Sequence, residues 1–323
     1  MKDELRQARE RLAAARHLFV VAHERPDGDA VGSLLALTLA LRALGKQATP
    51  VLVDGVPARF RFLPGAGEVR SEFSSPCDCL VTVDCSDLQR LGFPEARLPR
   101  PIDINFDHHP TNTLFGQVNL VAPAASATAE VLLDAAPELG LTITAEVATN
   151  LLMGLVTDTI GFRTSSVTPK VLRDAARLIE LGGPLGEVYE RGLNRHSFVA
   201  IRYWAAGLTR LERDGGLVWA DLTLEDRRQV GYPGPDDADL INLMSSIDGA
   251  QVTIIFVEQA EGRIKVSWRA RDGINVARVA GGFGGGGHEQ ASGAMVAGSL
   301  DEVKRQVLSA TRLAMQTDER GSR

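Results

Sequence analysis

Through the first 180 residues, short apolar runs of strand character alternate with helical patterns, an order that suits a parallel sheet covered by helices. LFVVA (18–22), ATPVLV (48–53), CLVTV (79–83) and DINF (103–106) read as strands, and 30–44, 126–135, 144–157 and 168–182 read as helices. Gly45 ends the first of these helices. From Gly182 a loop and helical material lead to a second, smaller set of elements. It comprises a strand LVWADL (217–222), a helix over 238–247, and paired strands VTIIFVE and RIKVSWRA around the turn QAEG. The expected fold class is α/β: a domain over 1–190 whose mostly parallel sheet is flanked by helices, a helical linker over 191–214, a smaller α+β domain over 215–316, and a polar, frayed tail over 317–323. A length of 323 residues also favours two domains over one.

Thirty-five Lys and Arg against 41 Asp and Glu leave a net charge of −6, so no global positive field exists to hold long duplex nucleic acid. A small phosphate ligand stays compatible, because a few arginines and metal ions reverse the field within one cleft. Cys77, Cys79 and Cys85 are too few for a disulfide framework and lack a fourth ligand for structural zinc. The opening MKDELRQARERLAAAR is charged and helix-patterned, unlike a signal peptide, and no run approaches 18 apolar residues. Cytoplasmic residence without a membrane partner is expected.

Three predicted strands run into candidate metal ligands. LFVVA leads to His23, CLVTV to Asp84, and DINF to Asp107, His108 and His109. In an open parallel sheet the carboxyl ends of the strands share one edge, so these separate segments converge. HERPDGDAVGS adds Asp27 and Asp29 on a short turn before a helix, and the apolar helix LLMGLVTD ends in Asp158. Each residue also has an ordinary reading. Asp27 and Gly28 form a turn with Asp29 or Asp84 as a helix cap, and the two histidines are polar strand-end residues. Capping does not, however, require five carboxylates and two or three imidazoles in one site.

Taken in order, HERPDGDAVGS, VDCSD, DHHP, LVTDTIGFR and the late GGGGH resemble the motifs of the DHH/DHHA1 phosphoesterases over nearly the whole chain. Within that family the likeness is nearest to the compact bacterial nanoRNases, which degrade very short RNA and dephosphorylate 3′-phosphoadenosine 5′-phosphate (pAp). The resemblance implies one ion at His23, Asp27 and Asp84 and a second at Asp29, Asp84, His108 and Asp158, with Asp84 bridging. It implies that His109 polarises the scissile phosphate or protonates the leaving oxygen, while Asp107 orients neighbouring imidazoles. Two divalent ions about 3.5–4 Å apart hold water as hydroxide at neutral pH and neutralise phosphate charge during in-line attack. A thiolate-free set of carboxylates and imidazoles suits Mn²⁺ or Mg²⁺, with Mn²⁺ favoured by the histidines. Cys85, beside Asp84, is expected to pack as a small hydrophobe.

The segment INVARVAGGFGGGGHEQASGA carries glycines that let backbone amides approach an anion, followed by His288 as a donor. It resembles the DHHA1 signature, which implies that Gly285, Gly286, Gly287 and His288 grip the nucleotide. Arg269 matches the family's strand-end arginine, a phosphate or base clamp whose alternative is a solvated charge. Arg163 and Arg271 are weaker candidates of the same kind, and His196 reads as structural. The expected activity is hydrolysis of very short oligoribonucleotides to 5′-mononucleotides and of pAp to AMP, in a cleft between domains that a hinge opens and closes. Cyclic di-AMP or linear dinucleotide cleavage is the nearest rival, and a non-hydrolytic nucleotide sensor is the alternative of another class. A manganese pyrophosphatase would lack the GGGGH ending, and a RecJ-type exonuclease would be longer. Homodimerisation through the first domain is a family-level expectation.

Overall fold

A computed structural model describes residues 2–74, 76–271 and 273–321, which divide into two compact units, Met1–Arg195 and His196–Arg323. The tail 322–323 and the side chains of 317–321 lie outside the described residues, so the expected fraying falls beyond them.

In the first unit, strands β1 (His17–Val21), β2 (Gln47–Val51), β3 (Cys79–Val83), β4 (Ile104–Asp107) and β5 (Val118–Val121) form one sheet in the order β2-β1-β3-β4-β5. All four pairings are parallel. Pro50 lies in β2, the edge strand, where the missing N–H costs no ladder bond to an outer neighbour. The helices are α1 (Lys2–Ala14), α2 (Gly28–Ala43), α3 (Thr128–Leu139), α4 (Ala145–Asp158), α5 (Pro169–Glu180) and α6 (Leu185–Tyr189).

Side-chain alternation along β1 divides two cores. Leu18 and Val20 join the helices, whereas Phe19 and Val21 pack with Leu80, Leu91 and Ile102 under the irregular segments carrying Phe73, Phe93 and Phe115. Helices therefore cover one face of the sheet and connecting segments the other. Helix α2 is apolar nearly all round because it is buried between the sheet and α4. Its contact with α4 is seated on glycines: a Cβ at Gly32 would lie 2.4 Å from the Asn150 carbonyl oxygen, and one at Gly154 would lie 2.4 Å from Asp29 Oδ1. This close approach brings the start of α2 to the end of α4.

The second unit contains α7 (Phe198–Leu208), β6 (Glu212–Asp214), β7 (Leu217–Leu222), α8 (Leu224–Val230), α9 (Leu240–Met244), β8 (Val252–Gln259), β9 (Arg263–Ala270), α10 (Val276–Gly281), β10 (Gly286–His288), β11 (Ala291–Ala297) and α11 (Leu300–Gly321). Its six-stranded sheet has the order β10-β11-β9-β8-β7-β6, antiparallel except for β7 with β8. Ile254, Phe256, Val266 and Trp268 share one core with residues of α10 and α11, and Ile255 and Val257 share another with residues of α7 and α9.

The helix expected over 238–247 is shorter. Ala238 and Asp239 hold φ of 53° and 67°, which no right-handed helix accommodates, so α9 begins at Leu240. Asp236 accepts from the Ala238 N–H and Asp237 from the Ile241 N–H, stabilising this entry. The material expected to link the domains splits at Arg195, and α7 packs within the second unit.

Candidate metal centre

The strand order of the first sheet reverses between β1 and β3, and ligands of open α/β sheets bind at such a switch point beyond the carboxyl ends of the strands. His23 lies two residues past β1, Asp84 directly follows β3, and Asp107 ends β4. Among the described residues, three groups drawn wholly from the first unit have ligand atoms within 4.8 Å of one another: His23, Asp27 and Asp84; Asp29, His108 and Asp158; and Asp84, Asp107 and His109.

The cap of α2 is Asp27 and not Asp29. Its Oδ1 caps α2 by accepting from the Asp29 and Ala30 N–H groups, while Oδ2 lies 3.9 Å from His23 Nε2. Asp29 does cap a helix, but α3 and not its own. Its Oδ2 accepts from the Thr128 N–H at 2.6 Å, and its Oδ1 from the Ala129 N–H at 3.0 Å and from Ser33 Oγ at 3.1 Å. Asp84 starts no helix. It holds φ 55° while its N–H extends the ladder to the Phe106 carbonyl, and Asp87 caps the following turn through the Gln89 and Arg90 N–H groups. Asp84 Oδ2 faces His23 Nε2 at 3.4 Å, and Oδ1 faces His108 Nε2 and His109 Nδ1, each at 3.8 Å.

Backbone carbonyls orient two imidazoles. Nδ1 of His23 meets the Glu24 carbonyl oxygen at 2.7 Å, and Nδ1 of His108 meets that of Ala125 at 3.2 Å. A carbonyl only accepts, so Nδ1 carries a proton and Nε2 is the nitrogen turned toward the carboxylates. His109 differs, because its Nδ1 is held at 2.7 Å by Asp107 Oδ1. Asp107, fully buried, accepts through Oδ2 from Asn112 Nδ2 at 2.6 Å, and Asn112 also donates to the Cys85 carbonyl. Asn112 and Thr128, whose Oγ1 donates to Asp84 Oδ1 at 2.9 Å, are site residues that the motifs did not identify. Each belongs to a local pattern, DHHPTN and SATAE, whose spacing alone carries no ligand signal.

Burial and mutual charge perturb the ionisable groups of this edge. Burial, then the charges of Asp84 and Asp158, holds the Asp29 carboxyl well above the usual carboxylate range. Burial also opposes ionisation of Asp84, yet the His23 hydrogen bond and the neighbouring imidazoles hold its carboxyl well below that range. Burial opposes protonation of His23, His108 and His109 as well, but their carboxylate partners outweigh it and raise all three. Asp158 ends α4, where the helix dipole disfavours negative charge, and its Oδ2 lies 3.3 Å from His108 Nε2. This oxygen-rich, imidazole-containing set fits Mn²⁺ or Mg²⁺. Cys85 does not join it: its thiol donates to the Asp87 carbonyl, and burial pushes its pKa up to about 12.

The remaining expected residues lie elsewhere. Arg163 is exposed on the turn after α4. In the second unit Arg269 pairs across the strands with Thr253 and Ala291, and with Ser245, Gln251, Thr253 and Arg271 it lines a cavity of about 40 Å³. The glycine-rich run is no loose loop. Gly286, Gly287 and His288 form β10 against Gly293, Ser292 and Ala291. Cβ atoms at Gly285 and Gly287 would lie 2.1 Å from the Gly293 oxygen and 2.5 Å from the Ala291 oxygen, so close strand approach accounts for both glycines. The Gly285 N–H donates to the Ala280 carbonyl, whereas Gly286 and Gly287 are exposed. His196 packs against the Trp204 ring at 4.4 Å.

A parallel sheet with acidic and imidazole groups at its switch point, followed by a mixed α/β unit, is the arrangement expected of a two-domain, metal-dependent phosphoesterase. The pattern of the DHH family, N-terminal domain, matches residues 17–155, and that of the DHHA1 domain matches residues 233–316. The chain belongs to the DHH family and carries a DHHA1 domain. It is 36% identical over 304 residues to the bifunctional oligoribonuclease and PAP phosphatase NrnA of Thermus thermophilus, covering 91% of this chain and 89% of that one. The crystal structure of an exopolyphosphatase-related protein from Bacteroides fragilis superposes with a TM-score of 0.90 at 23% identity, covering 99% and 98% of the two chains. RecJ of Thermus thermophilus, in complex with Mn²⁺, gives a TM-score of 0.56 at 14% identity over 97% of this chain but only 55% of RecJ. No helix among the described residues is long and apolar enough to cross a membrane.

Proposed function

We propose that this enzyme hydrolyses very short oligoribonucleotides to 5′-mononucleotides and pAp to AMP, with two divalent cations, Mn²⁺ above Mg²⁺, at the edge of the first sheet. The observation that carries the reading is Asp84. One carboxylate oxygen faces His23 and the other faces His108, so a single side chain joins two ligand groups. His23, Asp27 and Asp84 would hold one cation, and Asp29, Asp84, His108 and Asp158 the other. When bound, such a pair supplies an activated water and neutralises charge on a phosphate.

The chain's own groups do the rest. The Asp107 carboxylate fixes the His109 ring and keeps its Nδ1 protonated, leaving the opposite nitrogen to meet a phosphate or leaving oxygen. Asn112 holds Asp107 in turn. Arg269 on β9, His288 and the exposed Gly286 and Gly287 are the second unit's substrate-holding groups, with Gly285 setting the β10–β11 hairpin that presents the last three and Arg163 a candidate anion contact in the first unit. The name and 36% identity of the Thermus relative support the substrate class.

A length series of RNA substrates tests this reading. Turnover in Mn²⁺ should be greatest on the shortest RNAs and fall as the strand lengthens. Equal rates on long and short strands would overturn the assignment.

A further inference from the structure

The segment between β5 and α3, together with the first residues of α3, reaches three of the four residues assigned to the second cation. The Ala125 carbonyl accepts from His108 Nδ1, the Thr128 and Ala129 N–H groups donate to the two oxygens of Asp29, and Thr128 Oγ1 donates to Asp84 Oδ1. Asp84 Oδ1 is the oxygen facing His108, while the other faces His23. Thr128 is fully buried, so its hydroxyl has no water to exchange partners with.

This segment is itself anchored. Ser126 Oγ donates to the Ser166 carbonyl at 2.6 Å, and the Ser126 N–H donates to Glu130 Oε2 at 2.7 Å. Lys170 Nζ then holds the other Glu130 oxygen at 2.9 Å. The group at His23 and Asp27 is built differently, from the Glu24 carbonyl and the first N–H groups of α2. The two halves of the centre thus rest on separate supports.

We infer that residues 125–129, with Thr128 as the positioning residue, form a frame that sets the second cation position independently of the first. This rests on the two-cation reading above. Removing the hydroxyl leaves Asp84 Oδ1 without a fixed donor on the side of the second position, and loss of such a supporting hydrogen bond lowers metal affinity by about 10- to 100-fold. The first position keeps Asp84 Oδ2, His23 and Asp27.

Equilibrium dialysis of the metal-stripped full chain against Mn²⁺, with bound metal counted, reads both positions without reference to activity. Wild type should bind two ions per chain. Thr128→Val should retain one and bind the other about 10- to 100-fold more weakly, while Thr128→Ser, which keeps the hydroxyl, should bind both as wild type does. Thr128→Ala removes the same hydroxyl without adding bulk, and carries the comparison if the valine variant does not fold. Hydroxyl-free variants that bind both ions normally, or lose both in parallel, would overturn the inference, as would a serine variant matching the valine one. A wild-type chain that binds fewer than two ions would instead overturn the two-cation reading on its own.

Discussion

Gly154→Ala sets helix propensity against packing at the candidate metal centre. By propensity alone the change stabilises an α-helix by about 1 kcal/mol. In this fold the new Cβ would lie 2.4 Å from Asp29 Oδ1 and 2.7 Å from Ala129 Cβ, against ordinary contact from 3.4 Å. Asp29 must therefore move by about 1 Å, yet three donors pin it and it is fully buried. Overpacking of this kind costs about 1–3 kcal/mol, so the net effect is destabilisation of up to about 2 kcal/mol. That corresponds to a fall in Tm of up to about 8 °C in a unit of this size. With Asp29 a cation ligand, as proposed, its displacement by about 1 Å should also cost on the order of 100-fold in turnover. Thermal unfolding and the rate of pAp hydrolysis measure both, with Gly186→Ala in α6 as control, since its Cβ meets nothing within 4 Å. A Gly154→Ala enzyme with raised Tm and wild-type turnover would refute the reasoning.

Other expectations follow from the same geometry. His109→Ala should lower kcat by about 10²- to 10⁴-fold while Mn²⁺ stoichiometry stays unchanged; loss of metal would make His109 a ligand instead. His288→Ala should raise KM for short RNA with metal content intact, and an unchanged KM would remove it from substrate binding. Asn112→Ala should cost roughly 1.5–3 kcal/mol of stability through its bond to the Asp107 carboxylate, read by denaturant unfolding. In the metal-free chain the pKa values of His23, His108 and Asp29 are raised on folding, so their stabilisation is present at low pH and lost as pH rises through the folded values. For the histidines that window begins near about pH 6.5; chelated protein should melt lower at about pH 9 than at about pH 6, and a Tm that rises over this range would contradict the shifts.

Four of the five strands of the first sheet were legible because they are short apolar runs, and CLVTV at 79–83 matches β3 residue for residue, whereas β5 (VNLV), interrupted by Asn119 and only alternately buried, carries no such run. The candidate ligands were legible because strand ends are fixed points of an α/β fold. What the chain order conceals is who holds whom. Asp29 precedes the helix it caps, α3, by 99 residues, and Thr128 is 44 residues from Asp84, so no local pattern reports either contact. Helix α9 was overextended because apolar periodicity does not register the left-handed backbone at Ala238 and Asp239. The glycine-rich run was read as backbone made free to approach an anion, whereas Gly285 and Gly287 first answer to the packing of β10 on β11.

The most direct test of the central claim is mass-spectrometric identification of products after the Mn²⁺-loaded enzyme, and an Asp84→Ala control, meet pAp, a short RNA, cyclic di-AMP and pyrophosphate. The account predicts AMP from pAp and 5′-mononucleotides from RNA with wild type, and neither with Asp84→Ala. Cleavage of cyclic di-AMP alone, no cleavage of any substrate, or undiminished products from Asp84→Ala would contradict it.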